Sequence, residues 1–262
     1  MKLLRYGPAG QEKPGMLDAS GAIRDLSAVV EDIAGNVLLP ASLDRLRRLD
    51  PVSLPLVNGH NRLGSCVGNV GKIIGVALNY SDHAAEAGVP LPTEPLIFLK
   101  ANSCISGPND DIVLPKGSTK TDWEVELAAV IGTPGKSITE ERALQFEGVG
   151  QWTKGKSADT FGPIGPWLVT AEEVADWAKL DLWLDVDGRR FQKGTTGTMV
   201  FGVPFLVSYL SRCMSLQPGD LILTGTPPGV GLGQKPPVYL RPGQEIRLGV
   251  DGLGEQRQRV VA

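Results

Sequence analysis

The chain has 262 residues, 42% hydrophobic and 21% charged, with a formal net charge of −3. That length suits one large domain, or a large domain with a small appendage. Mild acidity with no lysine or arginine run argues against nucleic acid and anionic membrane as partners, and no apolar stretch approaches the ~20 residues of a membrane span. The 33 glycines and 20 prolines point to a β-rich protein with many turns. Met1 to Gly7 lacks the long apolar segment of a signal peptide. Cys66, Cys104 and Cys213 are scattered, with no Cys-x-x-Cys spacing. Free thiols and no structural zinc are expected, which suits a cytoplasmic protein.

Residues 1–68 read as a small α+β domain. Lys2 to Tyr6 is a strand, Gly15 to Leu26 a hairpin turning at Ser20-Gly21, and Ala41 to Leu49 a helical patch. Pro51 and Pro55 then space a linker. The main body, 69–262, begins with the apolar strand Lys72 to Ala77. Ser81 or Asp82 can cap a short helix that Gly88 ends. His83 and Glu86, at i and i+3, are neighbours on one face of it. The chain has two histidines, and His60 sits in the linker with no acid beside it in sequence. Any histidine base is therefore His83, with Glu86 raising its basicity and fixing its orientation. The alternative is a solvated helix carrying a chance pair.

Pro95 to Lys100 is a further strand, and Ile112 to Pro115 leads into the most informative stretch, Asp122-Trp123-Glu124-Val125-Glu126-Leu127 running on to Gly132. Alternation and β-branched content predict a strand here. With a side-chain period of two, Glu124 and Glu126 share a face, roughly 7 Å apart. Paired carboxylates repel unless a cation lies between them, and a hard divalent ion such as Mg²⁺ would serve. An edge strand with a polar face is the competing explanation. Ser137 to Glu140 has capping-box spacing and predicts a short helix through Leu144. Gln151 to Trp167 crowds lysines, tryptophans and Gly/Pro pairs together and reads as a shaped active-site loop rather than helix or strand. A lysine there could hold an enolate or carboxylate, although a surface loop is also consistent.

Thr170 to Ala175 opens a short helix. Leu180 to Val186 and Arg189 to Gln192 form a hairpin through Asp187-Gly188. Met199 to Cys213 reads as a helix with Pro204 in its first turn. The strand Leu221 to Thr224 ends in the turn Gly225 to Gly231, which lacks the Lys-Ser/Thr of a phosphate loop. It offers backbone N–H groups and the Thr226 hydroxyl to a small carboxylate. Turns at Pro242-Gly243 and Asp251-Gly252 close the chain in hairpins.

Five segments taken together resemble the fumarylacetoacetate hydrolase superfamily. They are Gly75 to His83, Phe98-Leu99-Lys100, Asp122 to Leu127, Gly155 to Phe161, and Leu216 to Asp220 running on to Gly231. The resemblance implies a β-rich α+β fold, a mixed β-sheet roll with a small N-terminal domain, in a homodimer or tetramer. It implies Mg²⁺ or Mn²⁺ held by Glu124 and Glu126, and His83 with Glu86 as a water-activating pair on a lid helix. Lys156 would contact the substrate oxyanion and Thr226 its carboxylate, with Tyr80, Lys100 and Gln192 lining the pocket. The implied reaction is hydrolysis of a C–C bond in a 2,4-diketo acid, narrowed to a 2,4-diketo-3-deoxy-rhamnonate or -fuconate, releasing pyruvate. Decarboxylase, isomerase and ureidoglycolate lyase-like activities are the alternatives. One departure stands out. The family's third metal ligand, an aspartate in an Asn-Asp-Val-Ser-like segment, has no counterpart between Gln145 and Gln151. Either that segment is lost, or a stretch has been left out of the sequence, which the intact remainder favours; Glu147 is the replacement candidate.

Overall fold

The computed structural model describes residues 1–136 and 152–262. The expected helix from Ser137 to Leu144, the join from Gln145 to Gln151 and Glu147 lie outside the described residues.

Strands β1 (Lys2–Tyr6), β2 (Lys13–Leu17) and β3 (Ile23–Asp25) precede helix α1 (Pro40–Arg47). Next come β4 (Ile73–Ala77), α2 (Ser81–Ala87), β5 (Leu96–Lys100), β6 (Ile105–Ser106), β7 (Ile112–Val113) and β8 (Ala128–Val130). The second half holds α3 (Trp152–Lys156), β9 (Gly162–Pro163), β10 (Leu168–Val169), β11 (Asp181–Val186) and β12 (Arg189–Thr195). It ends with α4 (Val203–Cys213), β13 (Leu221–Leu223), β14 (Glu245–Val250) and β15 (Gly254–Val261). The result is a strand-rich mixed α+β fold.

Four sheets organise these elements, in the orders β10-β1-β2-β3, β12-β11-β14-β15-β7, β5-β4-β13-β8 and β6-β9. In the third, β4 and β13 pair in parallel while the flanking pairs are antiparallel. β4 and β13 are central, which is why Ile73, Ile74, Val76, Leu221 and Ile222 are apolar and buried without alternation. Gly75 is required by close approach, because a Cβ there would lie 2.3 Å from the Phe98 ring. Leu206 and Leu210 of α4 pack on Ile74, Val76 and Ile222.

The β11–β12 hairpin turns at Asp187 and Gly188, with φ of 50° and 75°. These values fit the type I′ turn that Asp-Gly favours. In β11, Leu182, Leu184 and Val186 face inward. The first 68 residues share both sheet and core with the rest: β10 completes their sheet, and Leu3, Met16 and Leu26 pack in one cluster with Ile73, Leu221 and Leu223.

Several expectations need correction. Of the stretch from Asp122 to Ile131, only Ala128–Val130 joins a ladder. The helix expected from Met199 begins at Val203, after a 3₁₀ turn at Thr196–Thr198. Thr170 to Ala175 contains only the 3₁₀ turn Ala171–Glu173. Neither Ser81 nor Asp82 caps α2. Tyr80 is its N-cap residue and makes no side-chain cap, while the Asp82 carboxylate accepts from the His83 N–H and the Thr198 hydroxyl. Part of the supposed loop from Gln151 to Trp167 is helical, as α3. Tertiary contacts hold it: Trp152 meets Phe98 edge-on, and the Thr153 hydroxyl donates to Leu99 O at 2.7 Å.

Candidate active site

Ahead of β8 the chain is extended yet belongs to no sheet. Trp123, Val125 and Leu127 are buried, whereas Glu124 is exposed and Glu126 half-buried. The alternation expected of a strand survives, and both carboxylates leave from one side. Side chains take the place of ladder partners. Val125 N–H donates to Gln192 Oε1 at 2.9 Å, and Val125 O accepts from the Thr226 hydroxyl at 2.9 Å. Leu127 O accepts from the Thr224 hydroxyl at 2.8 Å.

Gln192 lies opposite Leu184 on β12 and is fully buried. Its Nε2 donates to Thr226 Oγ1 at 2.8 Å and to Pro227 O at 2.7 Å. The amide of Gln192 and the proton of the Thr226 hydroxyl are thus spent inside the protein. Both residues clamp the acidic segment to the glycine-rich turn, which does not match the substrate contacts expected of them.

That turn is the hub. Gly225 N–H donates to Glu126 Oε2 at 2.7 Å, and four residues on Gly229 N–H donates to Glu86 Oε1 at 2.9 Å. Glycine is needed at both positions, with φ of 94° and 105°. A Cβ on Gly229 would also fall 2.0 Å from Phe191 O. The second Glu86 oxygen lies 2.9 Å from His83 Nδ1. This contact holds the imidazole with Nδ1 protonated, leaving Nε2 as the basic nitrogen. The adjacent motif from Gly75 to His83 is pinned by Asn79. Its amide donates to Phe201 O and Thr224 O and accepts from Phe201 N.

The acidic cluster opens on a cavity of about 1120 Å³. Lys100, Glu124, Glu126 and Lys156 line it, with Leu184 and Ile246 on an apolar wall. Lys156, at the end of α3, forms an ion pair with Glu124, and Lys100 Nζ donates to Phe161 O at 2.8 Å. Burial, with the Glu124 charge added, pushes the Glu126 carboxyl up to about 7. Burial pulls the Lys156 ammonium down, but the charge and hydrogen bond of Glu124 outweigh it and hold it above the ordinary lysine value. His83, Glu86, Tyr80, Gln192 and Thr226 are not among the cavity's lining residues. The His83–Glu86 pair is tied to the carboxylates through the glycine-rich turn.

Two further residues matter here. Asp122 accepts Gly231 N–H and Trp123 N–H on Oδ1 and Leu232 N–H on Oδ2, so its charge anchors the turn. Tyr80 is fully buried, with the Thr224 side chain beside its hydroxyl. Burial raises its pKa against the opposing effect of Thr224, and the Glu126 and Asp82 charges add to the rise. The role of Asp122 was not legible, because two of the amides it binds, those of Gly231 and Leu232, lie more than a hundred residues away. Asn79 could have been suspected only as an uncharged polar residue closing an apolar strand.

Glu124 and Glu126 offer hard oxygen donors of the kind Mg²⁺ and Mn²⁺ prefer. Among the described residues no third His, Cys, Asp or Glu joins them. Mg²⁺ is commonly held by one or two carboxylates, with water and substrate oxygens completing its octahedron. The donors present fit that kind of site.

Comparison with known proteins agrees with this picture. A family model described as fumarylacetoacetate (FAA) hydrolase C-terminal matches residues 72–148 and 139–261. A protein of Burkholderia multivorans, whose name goes no further than hydrolase, is 63% identical over 276 aligned positions covering 98% of each chain. Those positions outnumber the 262 residues here, so that relative carries residues this chain lacks. The fumarylacetoacetate hydrolase of Exiguobacterium antarcticum superposes with a TM-score of 0.81 at 30% identity, covering 100% of this chain and 99% of that one. The maleylpyruvate hydrolase of Sphingobium sp. SYK-6, solved with manganese(II) and pyruvate, does so with a TM-score of 0.80 at 28% identity, covering 100% and 99%.

Proposed function

This chain belongs to the fumarylacetoacetate hydrolase family, and from that premise we propose that it is a divalent-metal-dependent hydrolase of 2,4-diketo acids. The observation that carries the reading is the cavity wall on which Glu124, Glu126, Lys100 and Lys156 converge. It offers two carboxylates for a cation and two ammonium groups for an anionic substrate. When bound there, Mg²⁺ or Mn²⁺ would chelate the 2-oxo acid end and act as a Lewis acid toward it.

The chain's own residues account for the remaining steps. Nε2 of His83 takes a proton from water while Glu86 holds Nδ1 and stabilises the charged ring. The hydroxide oxygen bonds to the distal carbonyl carbon, C4, and the bond from that carbon to C3 of the pyruvate portion breaks. That electron pair leaves with the pyruvate fragment as an enolate, whose charge faces Lys156. A proton returned to this enolate completes pyruvate and a second carboxylic acid. The apolar wall of the cavity lowers the local dielectric and strengthens these charge contacts.

The narrower proposal is a 2,4-diketo-3-deoxy-rhamnonate or -fuconate, processed by a homodimer or tetramer. A panel of acylpyruvates assayed with Mg²⁺ and with Mn²⁺ tests the reading. Metal-dependent pyruvate release is expected, and no release from any member of the panel would overturn it. Decarboxylation or isomerisation of an oxo-diacid is the rival at the same site, since it needs the enolate but no attacking water. His83→Ala separates the two: hydrolysis collapses, whereas decarboxylation persists.

A further inference from the structure

The ion pair between Lys156 and Glu124 bears on how the site is loaded. A carboxylate tied to an ammonium is a poorer ligand for a second cation, because the incoming charge meets both the competitor and its repulsion. Among the described residues, the neighbouring acids offer no substitute. Both oxygens of Asp122 are held by backbone N–H groups, and Glu126 already accepts from Gly225 N–H. Glu124 is therefore the carboxylate whose engagement has to change.

Lys156 has somewhere to go. Its side chain and that of Glu124 are each about one-third exposed, at 33% and 32%. Nζ also stands 5.9 Å from the centre of the Phe98 ring, within the range of a cation–π contact. Helix α3, which delivers it, is fastened to β5 by Trp152 and Thr153 rather than by the lysine itself.

We propose that Lys156 is an exchangeable internal counter-ion: it neutralises Glu124 until a divalent cation binds the Glu124–Glu126 pair, and the displaced ammonium then becomes the group that meets the substrate anion. The inference rests on the metal-dependent reading above. It adds that metal and lysine compete for one carboxylate, so that removing the lysine strengthens metal binding while weakening catalysis. A lysine that stayed beside Glu124 with the metal bound would repel the ion without being released, and the labelling of its amine tells release from repulsion.

The test is Mn²⁺ titration of the full chain, without substrate, followed by paramagnetic resonance of the free ion. Lys156→Met should bind Mn²⁺ at least tenfold more tightly than the unaltered protein. Lys156→Arg should not, since its guanidinium pairs with Glu124 in the same way. Binding by Lys156→Met alone would support the proposal in its strongest form. Equal or weaker binding by Lys156→Met, with the unaltered protein still binding, would overturn the proposal and leave the metal reading standing. No binding by either protein would overturn both. A second readout needs no variant: amine-reactive labelling of Lys156, followed by peptide mass spectrometry, should speed up when Mn²⁺ is added. Unchanged or slower labelling contradicts the exchange.

Discussion

Two polar regions meet at the acidic segment and behave in opposite ways. Behind it, Gln192, Thr226, Thr224 and Asn79 form a buried set whose hydrogen bonds run to other parts of the protein. In front, Glu124, Glu126, Lys100 and Lys156 face a cavity, with charges that neighbouring groups balance only in part. Satisfied buried networks fix geometry, because breaking any member strands the others. Groups with spare lone pairs or charge bind and react. The contrast assigns structural work to two residues that a motif reading places in the pocket, and it separates what substitutions on either side should do.

Among the groups proposed to do chemistry, the largest effect expected short of losing the carboxylates is at His83. His83→Ala should lower kcat for hydrolysis by about 10²–10⁴, the usual range for a general base, with thermal stability almost unchanged. Steady-state kinetics beside a melting curve measures both. Behind the segment the pattern inverts. Gln192→Leu leaves Val125 N–H, the Thr226 hydroxyl and Pro227 O short of a partner, at ~1–3 kcal/mol for each stranded group. A fall in Tm on the order of 10 °C should result, with activity lost through misplacement of Glu124 and Glu126. If Gln192→Leu melted normally but failed to turn over, the amide would belong on the cavity side.

The acid–base behaviour of Glu126 sharpens the comparison further. Its carboxyl is held up to about 7, against 4.5 ordinarily. Between those values the metal-free folded protein keeps a proton that the unfolded chain has released. Folding stability should therefore fall as pH rises through that window and level off above it. Denaturant melts at successive pH values would show this slope, and Glu126→Gln should flatten it. The smallest effect belongs to Ser81→Ala. Ser81 makes no cap bond to α2, so the change should stay within about 0.5 kcal/mol, as for substitutions away from specific features.

How much of this was legible in the sequence depended on how far each signal reaches. The Asp187-Gly188 hairpin and the His83–Glu86 contact are local, set by turn chemistry and by helical spacing, and both formed as read. The sidedness of Glu124 and Glu126 was also legible, because alternation reports which face meets the core whether or not a ladder forms. The missing ladder was not legible. It depends on Gln192 and Thr226, some seventy and a hundred residues further along the chain, donating and accepting where a neighbouring strand would. Helix α3 escaped for a related reason: Gly155 and the Gly/Pro pairs that follow it weigh against a helix, and the Phe98 and Leu99 contacts that hold it are tertiary. The Gly225 to Gly231 turn was read as a ligand cradle. Its amides instead bind Glu126, Glu86 and Asp122, a use of backbone N–H groups that no short motif encodes.

The most direct test of the central claim is the double variant Glu124→Gln/Glu126→Gln. It keeps shape and hydrogen bonding while removing both charges. Mn²⁺ binding and metal-dependent pyruvate release from acylpyruvates should both vanish, while the fold persists by circular dichroism. Undiminished metal affinity and turnover in a folded double variant would contradict the account.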